Sequence, residues 1–381
     1  MIAVIGGGPA GCIAARTCAK EDEVVLFEEH EKGEHPVQCA GLVSISGLEK
    51  IGIKKLSENF VQNRVRGALL HSPSGNVVEI DAGHDMACVI DRQKFDEYLL
   101  NSAVSSGVEL INEKVDDIEK LNKNFNPRKI IIAAGIKYGL HRKLNFPVPK
   151  ILAGLQYEMK IVCDPGFVEL YFNVPGFFSW IIPVDDYARI GLCTYRNPGE
   201  YLKNFIKNLK KGGRIKNNAK ILNKTGGAVP VYSPKFKTEY EIKNRHRFFK
   251  PRDIFYRKNE LSGTIKNKKI ILVGDSAAQV KATTGGGIVM GGIAAQCVSK
   301  NYEKQWRKKI GKELYLHLLI RNFLNRLSEK EINKLLLLAS EHKDIIQKKG
   351  DMDMASVLAF NLMKRPKFSF KIFCMFARSF F

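Results

Sequence analysis

No two of the eight cysteines in this 381-residue chain are spaced as CxxC, and no histidine lies close enough to one to suggest a zinc or iron–sulfur site. No metal centre is expected, and the thiols read as free in a reducing cytoplasm. Long apolar runs are missing too: nothing reaches the ~18 to 20 uninterrupted apolar residues of a spanning helix, so the chain is not expected to be integral to a membrane. The opening "MIAVIGGGPAGCIAARTCA" is apolar, but it lacks a basic leading region and is broken by glycines, so it does not read as a signal peptide. Repeats and low-complexity tracts are absent. Acids are scarce: the formal net charge is +22, and residues 201–273 hold 20 Lys or Arg against only Glu239, Glu241, Asp253 and Glu260. Such an excess attracts nucleic acid, anionic lipid or acidic ligands, although a Lys-rich proteome produces the same balance.

What is present is a βαβ beginning. A short β-branched strand runs into a glycine turn and a small-residue helix, and then into "EVVLFEE", a strand with a carboxylate at its end. After a loop (30–43), "VRGALLHSPSGNVVEID" reads as a hairpin turning at "SPSG", near 64–81. "DRQKFDEYLLNSAVSSGV" reads as an amphipathic helix ending at Gly107, a strand follows near 109–111, and "KIIIAAG" is a buried strand entering a turn. From 151 to about 195 four segments look like successive antiparallel strands, and 233–268 reads as a basic surface insertion. "KIILVGDSAAQ" is again a buried strand into a turn, "GGGIVMGGIAAQCV" begins a helix, and the chain after about 302 looks helical. The expected fold class is α/β (α+β overall). A Rossmann-like nucleotide-binding domain (1–150, returning at 263–301) is interleaved with an antiparallel-sheet substrate domain (151–262) and followed by C-terminal helices (302–381).

Gly6, Gly8 and Gly11 form GxGxxG directly after a strand and opening a helix, with Glu28 at the end of the next strand. The first glycine makes the turn, the second lets backbone approach a pyrophosphate, the third permits close helix packing, and Glu28 accepts ribose hydroxyls. The helix N-terminus favours the phosphate charge. A second signature, Gly274-Asp275, follows a later buried strand; a single NAD site does not need it, whereas FAD has a ribityl chain whose hydroxyls Asp275 can accept. The run through Gly286, Gly287 and Ile288 adds another helix N-terminus, suited to the negative charge that reduced flavin carries near N1 and O2. FAD is therefore the expected cofactor.

Together with that motif, "PVQCAG" (36–41), "DRQKFD" (91–96), "FFSWIIP" (177–183) and "GDSAAQVKATTGGGI" resemble the geranylgeranyl reductase family of flavoproteins, in particular archaeal enzymes that saturate the prenyl chains of digeranylgeranylglycerophospholipids. The resemblance covers residues 1 to about 300 and implies the fold of the p-hydroxybenzoate hydroxylase group. It also implies that Pro36, Cys39, Ala40 and Gly41 lie beside the flavin ring, that Arg92 is near the FAD, that Asp275 is the ribityl acid, and that Phe178, Trp180 and Pro183 line a prenyl tunnel. Ile182 replaces an aromatic of that motif, Ala134 stands where an aspartate is frequent, and Ala282 stands where a proline is usual.

Several readings stay open on sequence. Phe178 and Trp180 alternate along a strand and would form one wall, either of a tunnel or of an ordinary core. Cys39 is either an inert thiol or a catalytic residue that delivers a proton or adjusts the flavin, and Arg92 either serves the flavin or pairs with Asp91 or Asp96 on a solvated helix face. The tail "KFSFKIFCMFARSFF" is either a packed cap or a basic aromatic helix lying in a lipid interface. The expected activity is FAD-dependent reduction of C=C bonds in a polyprenyl lipid substrate. Its electron donor is left open among ferredoxin, a deazaflavin and NAD(P)H, and its expected place is cytoplasmic or peripheral at the inner face of the membrane. The alternatives are an aromatic hydroxylase of the same fold, a non-catalytic lipid carrier, and an RNA-associated flavoprotein resting on charge and "NRHRFFKPR"; no specific nucleic acid is expected.

Overall fold

The computed structural model describes residues 1–31, 38–242 and 267–378; Pro36, "NRHRFFKPR", most of the 233–268 insertion and the terminal Phe380 and Phe381 lie outside the described residues. A six-stranded sheet carries the nucleotide-binding layer. The strand Ile2–Ile5 pairs in parallel with Val24–Phe27 on one side and Lys129–Ile132 on the other. All three are buried along their whole length, which is why they read as continuous apolar runs rather than alternating ones. Lys268–Leu272 then adds in parallel beside Lys129–Ile132, so a late segment completes the layer begun at residue 2.

A second, seven-stranded sheet lies beside it. The strands Phe167–Tyr171, Ser179–Pro183 and Ala188–Thr194 form a meander, and Ile151–Met159 pairs with the last of these. The hairpin Gly67–His71/Val77–Asp81 does turn at "SPSG", and it joins this sheet by parallel pairing of Gly67–His71 with Phe167–Tyr171.

Two elements escaped the sequence reading. Ile221–Pro230 is a ten-residue edge strand on Ile151–Met159, hidden by its glycines and lysine, and Pro198–Lys211 is a helix with Pro at its start and lysines in its last turn. The insertion also departs from expectation within the described residues. Glu239–Ile242 is an edge strand of the first sheet, with Tyr240 stacked 3.8 Å from Phe146. Among the described residues no helix is long and apolar enough to cross a membrane, and no group of three His, Cys, Asp or Glu is placed to hold a metal ion.

The helix Lys312–Leu324 is turned against its own polarity. Glu313, His317 and Arg321, four residues apart, face inward together with Leu314, while Tyr315 and Leu319 face solvent. It packs behind the loop that precedes the helix Ile288–Ala295.

Candidate active site

The glycine loop between Ile2–Ile5 and the helix Pro9–Cys18 is as tight as its composition suggests. A Cβ on Gly6 would meet the Ala133 carbonyl oxygen at 2.5 Å, and one on Gly11 would lie 1.8 Å from the Gly6 oxygen. Gly8 differs, because nothing lies within 4 Å of where its Cβ would stand. It caps the helix without a side-chain hydrogen bond, so the first-turn N–H groups face open space. That is a cradle shaped for a phosphate. Beside it, Gly7 N–H donates to Glu28 Oε2 (2.6 Å), and Glu28 Oε1 contacts His30 Nδ1 (2.7 Å) and accepts from its backbone N–H. His30 was not singled out on sequence; its place two residues beyond the strand-end carboxylate is the only signal it leaves.

These groups open onto a cleft of ≈ 580 Å³ that also takes in Arg92, Gly274, Asp275, Gly287 and Ile288. Arg92 is not on a solvated face. Its guanidinium makes a two-point contact with Asp96 (3.0 and 2.9 Å), with little of either side chain exposed. Burial alone would lower the Arg92 pKa, but Asp96 and then Cys39 hold it above its ordinary value. Burial raises the Asp275 carboxyl, with Arg92 partly opposing. The helix Ile288–Ala295 starts without a side-chain cap. These features fit a dinucleotide cofactor laid from the Gly8 cradle to Asp275.

A second cavity of ≈ 440 Å³, mostly apolar, lies against the seven-stranded sheet. Phe178, Trp180 and Ile182 line it together, as period-two spacing requires, although the strand proper starts at Ser179. Trp180 donates to Gln156 Oε1 (3.1 Å), which fixes its plane, and its ring fills the space that a side chain at Gly191 would need. Phe177 stacks on Phe178 at 4.2 Å.

The two cavities meet. Gln38, Cys39, Ala228, Val229, Gly285, Gly287 and Ile288 belong to both; Ala40, Gly41 and Gly286 line only the apolar one, and Gly11 lines neither. Cys39 thus stands at the junction, half-buried, its Sγ accepting from Gly41 N–H at 3.3 Å. Arg189 secures that loop by donating to Ala40 O and Ile90 O. Cys12 and Cys18 are different: both are buried, and burial pushes the Cys18 thiol up to about 11, so they behave as small hydrophobes.

The family model of glucose inhibited division protein A matches residues 1–145, which include the glycine loop and Glu28. Digeranylgeranylglycerophospholipid reductase of Methanocaldococcus jannaschii is 28% identical over 91% of this chain and 92% of its own. The chain is similar to digeranylgeranylglycerophospholipid reductases along most of its length. The Methanococcus vannielii protein of that name is 27% identical over 88% of this chain and 89% of its own. A solved geranylgeranyl bacteriochlorophyll reductase-like protein from Thermoplasma acidophilum superposes with a TM-score of 0.72 at 20% identity, covering 98% of each chain. This likeness extends the flavoprotein fold past residue 300, through the C-terminal helices.

Proposed function

We propose that the chain is an FAD-dependent reductase that saturates C=C bonds in the geranylgeranyl chains of archaeal-type glycerophospholipids. The observation that carries this reading is the meeting of a nucleotide cleft with an apolar cavity at Cys39, Gly285, Gly287 and Ile288. Bound FAD, once reduced, supplies hydride from N5. The chain's own residues do the rest: Gly8 and the helix behind it bind pyrophosphate, Glu28 takes ribose hydroxyls, and Asp275 takes the ribityl chain. The sheet wall of Phe178, Trp180 and Ile182 aligns a prenyl chain and excludes water. Saturation needs a hydride on one carbon and a proton on the other, and Cys39 Sγ, at the junction, is the proton-delivering group. The electrons come from a ferredoxin, a deazaflavin or NAD(P)H; in the assay dithionite replaces them. Purified protein is reduced anaerobically, a geranylgeranylated glycerophospholipid is added, and flavin reoxidation is followed alongside product mass. Reoxidation with gain of hydrogen pairs supports the reading; FAD that stays reduced sinks it.

Cys39→Ala is expected to bind FAD normally and to lower turnover by about 100-fold, the lower range for loss of a positioned proton donor. A stopped-flow rate equal to that of the parent removes Cys39 from the mechanism.

The lipid itself points to a membrane surface. Ile346, Gln347 and Leu358 are among the residues that line the apolar cavity. The helices next along the chain expose Phe360 (63%), Phe370 (69%) and Phe373 (67%) to solvent. Lys364 sits 4.2 Å from the Phe360 ring centre, Lys367 is exposed, and Lys371 pairs with Glu341. Phenylalanines flanked by lysines suit an anionic bilayer. The double variant Phe370→Glu/Phe373→Glu should lose flotation with anionic liposomes while keeping its FAD; undiminished flotation removes this surface from the proposal.

A further inference from the structure

Arg321 raises a problem of charge. It is 5% exposed, yet its hydrogen bonds go only to neutral groups, Ala282 O (3.1 Å) and Thr283 O (2.6 Å), and its guanidinium lies 4.6 Å from the centre of the Phe177 ring. Among the described residues no carboxylate is within ion-pair distance of it.

The acids nearby are already taken. Asp353, fully buried, receives Lys281 Nζ at 2.5 Å and the Ser44 hydroxyl, and Glu313 receives the backbone N–H and hydroxyl of Ser356. Burial keeps His317 below its ordinary pKa, so it adds no charge near neutrality. Lys281 and Asp353 cancel, and among the described residues Arg321 is left with no carboxylate partner. Removing a cation from water without a counter-charge is costly, and two carbonyl hydrogen bonds and the faces of Phe177 and Phe178 offset that cost only in part.

Its position suggests what offsets the rest. Ala282 and Thr283 lead straight into the run that holds Gly285, Gly287 and Ile288, which line both cavities. Lys281 folds beneath the same loop, with Nζ 3.1 Å from where a Gly286 Cβ would stand. Lys281 itself lines the apolar cavity, and Arg321 holds the segment that leads into the glycine run. The charge that enters and leaves there is that of the cofactor, which becomes negative on reduction and neutral again after hydride transfer.

We propose that Arg321 is a positioning and charge-setting residue whose buried positive charge, beside the segment that leads into the glycine run, stabilises the reduced, anionic cofactor over the oxidised one. This rests on the flavin reading above and adds to it a determinant of the cofactor's potential. Without the arginine the loop could keep its shape, but reduced cofactor would be held less tightly.

The test uses the FAD-loaded protein and its two-electron midpoint potential, measured by dithionite titration against a reference dye, for the parent, Arg321→Gln and Arg321→Lys. Arg321→Gln should lower the ratio of reduced-to-oxidised FAD affinity at least tenfold, equal to about 30 mV toward more negative potential. Arg321→Lys, which keeps the charge and loses the fork of hydrogen bonds, should stay near the parent. FAD-bound Arg321→Gln with the parental potential overturns the inference while leaving the flavin reading intact; protein that binds no FAD overturns both. Should Arg321→Gln fail to fold, the parent alone decides. Its reduced flavin should keep the absorbance of the anion on acid titration down to the limit of folding, and protonation near neutrality overturns the proposal.

Discussion

Gly8→Val should leave the apoprotein as stable as the parent and lower FAD affinity by ~100-fold or more, a difference of about 2.8 kcal/mol. Both halves follow from the loop. Gly8 has φ −70° and ψ 178°, backbone that any residue adopts, and no atom within 4 Å of its Cβ position, so the folded chain accepts a side chain there. The added carbons would occupy the space assigned to pyrophosphate. Gly11→Ala reverses the pattern. Its Cβ would fall 1.8 Å from the Gly6 oxygen, so helix and strand must part, at a cost on the order of 3 kcal/mol in the apoprotein itself. Thermal melts of the apo forms and fluorescence titration with FAD separate the two. Equal affinity in Gly8→Val would mean that the cradle holds no phosphate.

The second large effect is expected at Trp180. As core filling, Trp180→Ala would cost about 3–5 kcal/mol of stability. As a cavity wall whose inner face is already open, it should cost under about 2 kcal/mol and lower kcat/KM for the long-chain lipid by about 100-fold, because the reacting bond is no longer held in line. Trp180→Phe should retain most of the rate, losing only the hydrogen bond to Gln156. Denaturant melts and anaerobic turnover on the same preparations decide between wall and core. The Phe178 ring already has the Arg321 guanidinium 5.6 Å from its centre.

Legibility in the sequence followed the range of the interactions. Gly6, Gly8, Gly11 and Glu28 are close in sequence and act through one turn, so spacing alone exposed them. Phe178, Trp180 and Ile182 were readable as one face because a strand repeats every two residues. Arg92 was ambiguous for a physical reason: the i,i+4 partner Asp96 was visible, but the burial of both was not. Lys281, Asp353 and Arg321 escaped, since their meaning depends on a helix that begins after residue 311 packing against a loop near 285. A signal did exist. Glu313, His317 and Arg321 recur every four residues in a helix whose remaining positions are largely apolar, a polar stripe that only an interior polar site would favour. The edge strand Ile221–Pro230 escaped for the opposite reason: it earns its place through pairing with Ile151–Met159, and its own composition argues against a strand.

The bond between Ser44 and Asp353 joins positions 309 residues apart, and the strand Lys129–Ile132 waits for Lys268–Leu272 to cover its flank. During translation, at about 5–20 residues per second, the first parallel strands emerge long before that flank is closed. A nascent chain of this protein therefore passes through a stage with an uncovered sheet edge and no finished cofactor pocket. A cofactor that needs both halves of the cleft would not serve as a template for early folding. It can only enter and seal a polypeptide that has already left the ribosome nearly whole, so cofactor supply should govern how long the finished protein survives rather than how fast it forms.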